Sequence, residues 1–275
     1  GASSNSIPFI AKLQPGRYYK SLEQQFHKHL GSNANLALRS KLTSRPVITI
    51  GGDQLTGKST LGKRLASHFH GEYMSAGQIF RDVAAARGIS VAQLSRQAAE
   101  NPEIDVTIEY RLCGLLAKGG MNGHLVLEGR QTAMMAAYMN SVHRKTHITK
   151  ILMVCSVREQ AIRFLRREIS EDVFRVAEQV LSQKQYQSLA DVVPDLAALN
   201  LPSSDFLRVS GLFTDNQNRD QEDAARYQLV YGCPEASDYS NRHWYDIVIN
   251  TDPNTSEQTF QQTLAALRQR GVVPE

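Results

Sequence analysis

Residues 46–59 read Pro46-Val47-Ile48-Thr49-Ile50-Gly51-Gly52-Asp53-Gln54-Leu55-Thr56-Gly57-Lys58-Ser59. The first five form a compact, β-branched run, the pattern of a strand buried on both faces of a parallel sheet. Gly52–Ser59 fits Gly-x-x-x-x-Gly-Lys-[Ser/Thr], and the stretch from Lys58 to Phe69 has the periodicity of an amphipathic helix. Strand, glycine-rich turn and helix together make a phosphate loop. Successive backbone N–H groups and the positive end of the helix form a nest for an anion. Lys58 then reaches the outer phosphates of a nucleoside triphosphate and the Ser59 hydroxyl meets Mg²⁺. Gly52, Asp53, Gln54, Leu55, Thr56, Gly57, Lys58, Ser59 and Thr60 are therefore the expected ATP-binding segment. Gln54-Leu55 stands where many such loops carry smaller residues, and is expected to reshape the outer rim.

Outward from this loop, strands alternate with helices. Glu72–Ser75, His124–Leu127, Ile151–Cys155 and Asp246–Asn250 read as strands. Ala76–Arg87, a segment capped by Ser90 and running to Glu100, Glu103–Lys118, Val157–Glu168 and Ser256–Arg270 read as helices, and Met134–Met139 as a short one. The alternation predicts an α/β three-layer fold with a five-stranded parallel sheet, a helical acceptor-binding region over 75–118 and a lid near 216–232. Residues 169–218 break the rhythm and read as an insertion or mobile lid, giving an insertion and lid region of about 169–232. Residues 1–44 read as an extension to a domain spanning 45–275. In that extension Leu22, Phe26 and Leu30 form one apolar stripe on a helix over roughly Tyr18–Leu30. Two roles fit the stripe: packing on the main domain, or docking a partner protein.

Composition sets the bounds. The chain has 275 residues, 41% hydrophobic and 21% charged, enough for a sizeable core and too apolar for wholesale disorder. Its apolar runs are far shorter than the roughly 20 residues a membrane helix needs, so no membrane span is expected. The start lacks a basic region followed by an apolar core, so no Sec-type signal is expected. The net charge of +4 suits small anionic ligands such as nucleotides and does not argue for nucleic acid. Three widely spaced cysteines exclude a disulfide framework or structural zinc site and point to a reducing, cytoplasmic setting.

A phosphate loop is shared by GTPases, motor ATPases and small-molecule kinases. No Asn-Lys-x-Asp guanine motif follows, which disfavours a GTPase. The third strand candidate runs into Glu128-Gly129-Arg130, where the acid suits a Mg²⁺ shell and the arginine a phosphate. The neighbouring segments then narrow the choice. Tyr73-Met74-Ser75-Ala76-Gly77-Gln78-Ile79-Phe80-Arg81, Pro102-Glu103-Ile104-Asp105 and Leu127-Glu128-Gly129-Arg130 resemble, in this order, three motifs of archaeal-type cytidylate kinases. Arg219–Tyr227 with Tyr231-Gly232 is similar to the lid of that family, and Tyr245–Thr251 to its last strand. The resemblance covers roughly 46–168 and 216–270.

This resemblance implies a nucleoside monophosphate kinase that transfers a phosphoryl group from ATP, with Mg²⁺, to CMP or dCMP. It implies that Ser75, Arg81 and Arg130 bind the acceptor phosphate and that Asp105 contacts the pyrimidine. It brings Arg219 and Arg226 from the lid onto the transferring phosphates, Asp223 onto the acceptor ribose, and Arg163 onto the donor nucleotide. The chemistry agrees. Phosphoryl transfer needs two polyanions held in line with their charge neutralised, and the planar fork of arginine suits that task. Two other readings stand beside it: the same fold with another acceptor (UMP, AMP or a non-nucleotide), and a nucleotide-binding module that has lost turnover.

Overall fold

A computed structural model describes residues 12–41, 46–120, 123–143 and 147–274. Five parallel strands form one sheet: β1 (Val47–Gly51), β2 (Glu72–Ser75), β3 (Leu125–Glu128), β4 (Thr149–Val154) and β5 (Ile247–Asn250). Their order is β2-β3-β1-β4-β5. Ile50 pairs with Glu128 on one side and Ile151 on the other, so the loop after β1 emerges where neighbouring connections diverge. Crevices at that carboxyl edge are where open α/β sheets bind ligands. All five residues of β1 are buried, the reason its sequence is one unbroken apolar run. Ile48 and Ile50 face one layer, shared with α3 (Lys58–His68) and α12 (Ser256–Gln269).

The opposite face carries the larger core. Helices α4 (Ala76–Ala86), α5 (Val91–Glu100), α6 (Pro102–Lys118) and α7 (Thr132–Val142) pack there. Local chemistry sets their starts. Ser75 Oγ accepts the Gln78 N–H, Ser90 and Gln93 form a reciprocal capping box, and Asn101 caps α6 ahead of Pro102.

The N-terminal segment belongs to this core. Helix α1 (Pro15–Leu30) buries Tyr18, Leu22 and Phe26, and α2 (Ala34–Ser40) buries Leu38. Arg17 Nε donates to Glu235 at 2.9 Å and Ser21 donates to the Tyr231 carbonyl. The stripe that fitted a docking helix is thus covered by the chain's own core, which corrects that reading. The first eleven residues of the expected extension, and the boundary at 44/45, lie outside the described residues.

The region after α8 (Val157–Glu168) also differs from a simple lid. Helices α9 (Glu171–Leu181), α10 (Val193–Ala197) and the first part of α11 (Ser203–Tyr231) enclose their own apolar cluster with α8. Phe174, Leu181, Leu196, Val209 and Phe213 are almost wholly buried in it. Insertion and expected lid are joined by one continuous helix of 29 residues. Val209 and Phe213 sit in the inserted cluster, Val230 and Tyr231 in the main core, and the polar middle of α11 crosses above the phosphate loop. The boundary at 216 is invisible in the backbone because helical periodicity continues through it.

Candidate active site

The phosphate loop bends under two constraints. At Gly52, φ is +136° and a Cβ would lie 2.3 Å from the Met153 carbonyl, so only glycine fits beside β4. Leu55 takes the left-handed conformation, φ 59°, unusual for a branched side chain. Its carbonyl accepts from Arg163 Nη1 at 2.8 Å, and its side chain packs against the inserted cluster. Beside it, Gln54 Oε1 accepts from Asn216 Nδ2 of α11 at 2.7 Å. The two residues that looked odd for such a loop are those that hold the insertion.

Two cavities open at the carboxyl edge of the sheet. The larger, about 950 Å³, runs from the phosphate loop past Arg163, Arg166 and Arg167 to the 251–256 loop. Residues Gln54–Thr60 line it, whereas Gly52 and Asp53 do not. Lys58 Nζ donates to the Asp53 carbonyl at 2.6 Å. Withdrawal from water pushes its ammonium below the ordinary value, although Glu128 and Asp53 pull the other way. Arg163 is held by Glu159 at 3.2 Å and by the Thr251 carbonyl at 2.9 Å.

The second cavity, about 380 Å³, lies between α4, α6 and α11. Gln54, Lys58, Arg81 and Glu128 line both spaces, so the two meet at the phosphate loop. Glu128 accepts the Tyr73 hydroxyl at 2.9 Å. Arg130, Arg219, Asp223 and Arg226 converge on the second cavity's walls. Arg130 is paired with Asp220 and, at 2.9 Å, with Asp223. Arg226 Nη1 donates to Asp223 at 3.0 Å and its Nε to Asp105 at 2.7 Å. Burial opposes charge on both guanidiniums, but the carboxylates outweigh it and hold them protonated more firmly than usual. Burial in turn raises Asp105 and Asp220 more than their arginines lower them. Arg219 has no ion pair among the described residues.

A divalent cation fits the oxygen donors at the junction. A hydroxyl, Ser59, and a carboxylate, Glu128, are hard ligands, and Mg²⁺ at phosphate sites takes only one or two protein ligands.

With this geometry in hand, comparison with known proteins becomes informative. An AAA-domain family model matches residues 48–180. The cytidylate kinase of Methanopyrus kandleri is 34% identical over 223 residues, covering 80% of this chain and 92% of that protein. The chain belongs to the cytidylate kinase family. The cytidylate kinase of Methanothermobacter thermautotrophicus is 29% identical over 75% of this chain and 95% of its own length. That of Staphylothermus marinus is 36% identical over 39% of this chain and 58% of its own length. The chain is thus a P-loop nucleoside monophosphate kinase, and no described helix is long and apolar enough to cross a membrane.

Several residues sit differently in this cytidylate kinase relative from what the motifs suggested. Asp105 is 2% exposed, is engaged by Arg226 and is not among the residues lining the second cavity. Ser75 spends its oxygen on capping α4 and lines neither cavity. Asp223 bridges two arginines. Sequence reading also missed residues. Asp220 holds Arg130, and Tyr239 lies with its ring centroid 5.8 Å from the Arg130 guanidinium. Glu109 lines the second cavity at 3% exposure. Asn216, Asp220, Asp223 and Tyr227 fall at helical spacing on one face of α11, a signal that pointed to Asp220. No local signal pointed to Glu109.

Proposed function

We propose that the protein transfers the γ-phosphoryl group of ATP to the phosphate of a pyrimidine nucleoside monophosphate, CMP or dCMP, yielding ADP and CDP or dCDP, and works in the cytoplasm. The observation that carries this reading is the meeting of two cavities at Lys58, Arg81 and Glu128, with further arginines converging from β3–α7 and α11. The larger space has the loop and the arginines for a triphosphate. The smaller is lined by arginines and by apolar side chains, Phe80, Ile108, Leu112 and Met135, a mixture suited to a phosphate and a base. Three free cysteines, Cys113, Cys155 and Cys233, agree with a reducing compartment.

In the reaction an oxygen of the acceptor phosphate forms a bond to the γ-phosphorus as the bond to the ADP oxygen breaks. The attacking oxygen is already anionic, so no general base is required. Catalysis then rests on positioning and charge neutralisation. Lys58 leaves the Asp53 carbonyl for the donor phosphates, and the nest around residues 54–59 holds them. Arg81 and Arg130 take the acceptor phosphate, while Arg219 and Arg226 bear on the transferring group. Phosphate oxygens replace Asp220 and Asp223 on Arg130. Ser59 and Glu128 would hold Mg²⁺, which supplies charge neutralisation on the phosphates. Arg163 orients the donor nucleotide.

The test is ADP release from MgATP with CMP, dCMP, UMP, AMP, GMP and no acceptor. Turnover with CMP or dCMP well above the others is expected. ATP binding without turnover on any monophosphate would overturn the reading in favour of a nucleotide-binding module.

A further inference from the structure

Three carboxylates line the acceptor cavity: Glu128, Asp223 and Glu109. Glu128 accepts from Tyr73, and Asp223 is shared by Arg130 and Arg226. Glu109 differs. It is 3% exposed and one turn beyond Asp105 on α6, and its polar neighbour is the Tyr231 hydroxyl of α11, with which it interacts although neither Glu109 Oε2 nor that hydroxyl makes a well-formed hydrogen bond among the described residues. A buried carboxyl with one weak neighbour keeps hydrogen-bonding capacity that a ligand can use. Its surroundings on the wall are apolar: Ile108, Leu112, Phe80 and Met135. The cationic groups Lys58, Arg81, Arg130 and Arg219 line the same cavity, as does Arg226, whose charge is taken up by Asp105 and Asp223. A cavity of about 380 Å³ lined by cationic groups, by apolar side chains and by a buried carboxyl has the mixed polarity of a monophosphate.

We propose that Glu109 is the residue that hydrogen-bonds the Watson–Crick edge of the acceptor pyrimidine. The inference rests on the reaction proposed above and assigns the contact to Glu109 in place of Asp105, which is engaged by Arg226. A neutral carboxyl presents an O–H donor beside a carbonyl acceptor. Cytosine presents N3, an acceptor, beside the N4 amino donor, so the two edges match in both bonds. A carboxylate offers acceptors alone and loses the bond to N3. Uracil presents the reversed pair, which the same carboxyl meets by exchanging its two oxygens, so Glu109 reads a pyrimidine edge in general.

The environment favours the proton. Burial raises the Glu109 carboxyl to about 8. Around it stand Asp105 and Cys113 on α6, Tyr18 on α1, and Arg226, Tyr227 and Tyr231 on α11. The phenols and the thiol are pushed up and stay neutral, and the charge of Arg226 is matched by Asp105.

The test uses the full chain with Glu109→Gln and Glu109→Ala, measuring KM for CMP and for ATP between pH 7 and 9. The alanine variant is expected to raise KM for CMP about 10- to 100-fold, the loss of one or two buried hydrogen bonds, with KM for ATP within twofold. The glutamine variant, which keeps a donor beside an acceptor, is expected to stay within a few-fold of wild type at pH 7. Wild-type KM for CMP should climb above pH 8, and that climb should vanish in Glu109→Gln. If the alanine variant does not fold, the pH profile of the glutamine variant decides. A profile that follows wild type, or equal losses for CMP and ATP, would overturn the assignment. Wild type that turns over CMP while both variants match it removes Glu109 alone. Wild type that turns over no pyrimidine monophosphate removes the reaction beneath it and this proposal with it.

Discussion

The larger cavity, proposed for the donor, and the smaller one, proposed for the acceptor, share lining residues but are built in different ways. Around the donor, the recognition groups are largely backbone: a loop of N–H groups at a helix start, with Lys58 resting on its own loop and Arg163 on two carbonyls. Around the acceptor they are side chains tied to one another, Arg130 to Asp220 and Asp223, and Arg226 to Asp223 and Asp105. A backbone nest is fixed by the fold and needs no partner exchange when an anion arrives. A web of ion pairs is fixed only until a better anion comes. The donor half should therefore fail when a single charge is removed, and the acceptor half should fail by degrees as carboxylates and arginines are re-paired.

The widest separation is expected from Lys58→Ala. Nothing else described at the junction carries that ammonium to the donor phosphates, so turnover should fall by about a thousandfold or more, with the fold intact by circular dichroism. Near-normal turnover would remove the loop lysine from the mechanism. Arg219→Ala comes next. Arg219 is exposed and free of ion pairs among the described residues, so its loss should leave stability unchanged and lower kcat by about 100-fold, the scale of one lost transition-state donor. Arg130→Ala would mix that loss with the unpairing of Asp220, while Asp223 keeps Arg226. If Arg219→Ala destabilises the chain as much as Arg130→Ala does, the proposed division between free and paired arginines is wrong.

The same contrast explains how much could be read in advance. The strand, loop and helix over 46–69 were legible because each step there is dictated locally: β-branched burial, glycine geometry, helix periodicity. The five strands and the capped start at Ser90 followed for the same reason. Arg81 and Arg130, expected on the acceptor phosphate, line the smaller cavity, and Arg81 lines the larger one as well. Which carboxylate would hold which arginine was not legible, because that depends on α11 crossing over α6, a contact between residues 121 apart in the chain. Asp105 was expected at the base on a motif, and its pairing with Arg226, a tertiary contact, was not legible. The insertion was seen as a break in rhythm. Its own core was not, since the apolar residues of 174–213 find their partners on α8.

Glu109 gives a test of intermediate size that reads stability in place of rate. Burial holds its carboxyl at about 8 against an ordinary 4.5. The folded chain therefore keeps a proton that the unfolded chain loses above pH 4.5, and the stability this residue contributes is lost as pH rises toward 8. Glu109→Gln does not titrate. The stability of the variant relative to wild type should grow by about 3 kcal/mol between pH 4.5 and pH 7, read by chemical denaturation at both values. A constant difference would mean that Glu109 is ionised in the folded chain, and the donor–acceptor match to cytosine would go with it.

The smallest effect is expected where the insertion meets the phosphate loop. Leu55 occupies a left-handed conformation that costs a non-glycine residue about 1 kcal/mol, and its side chain packs against the inserted cluster. Gln54 is held by Asn216 from the same helix that carries Arg219 and Arg226 to the acceptor side. A loop held from above in this way couples the donor site to α11, although the nest itself is local. Asn216→Ala removes one exposed-edge hydrogen bond and leaves Leu55 packed. The expected cost is about 1 kcal/mol, seen as a rise of a few-fold in KM for ATP with KM for CMP unchanged. A larger rise for CMP than for ATP would mean that Asn216 sets the pose of α11 and not that of the loop. The arginines of the acceptor side would then depend on the insertion more than the donor phosphates do.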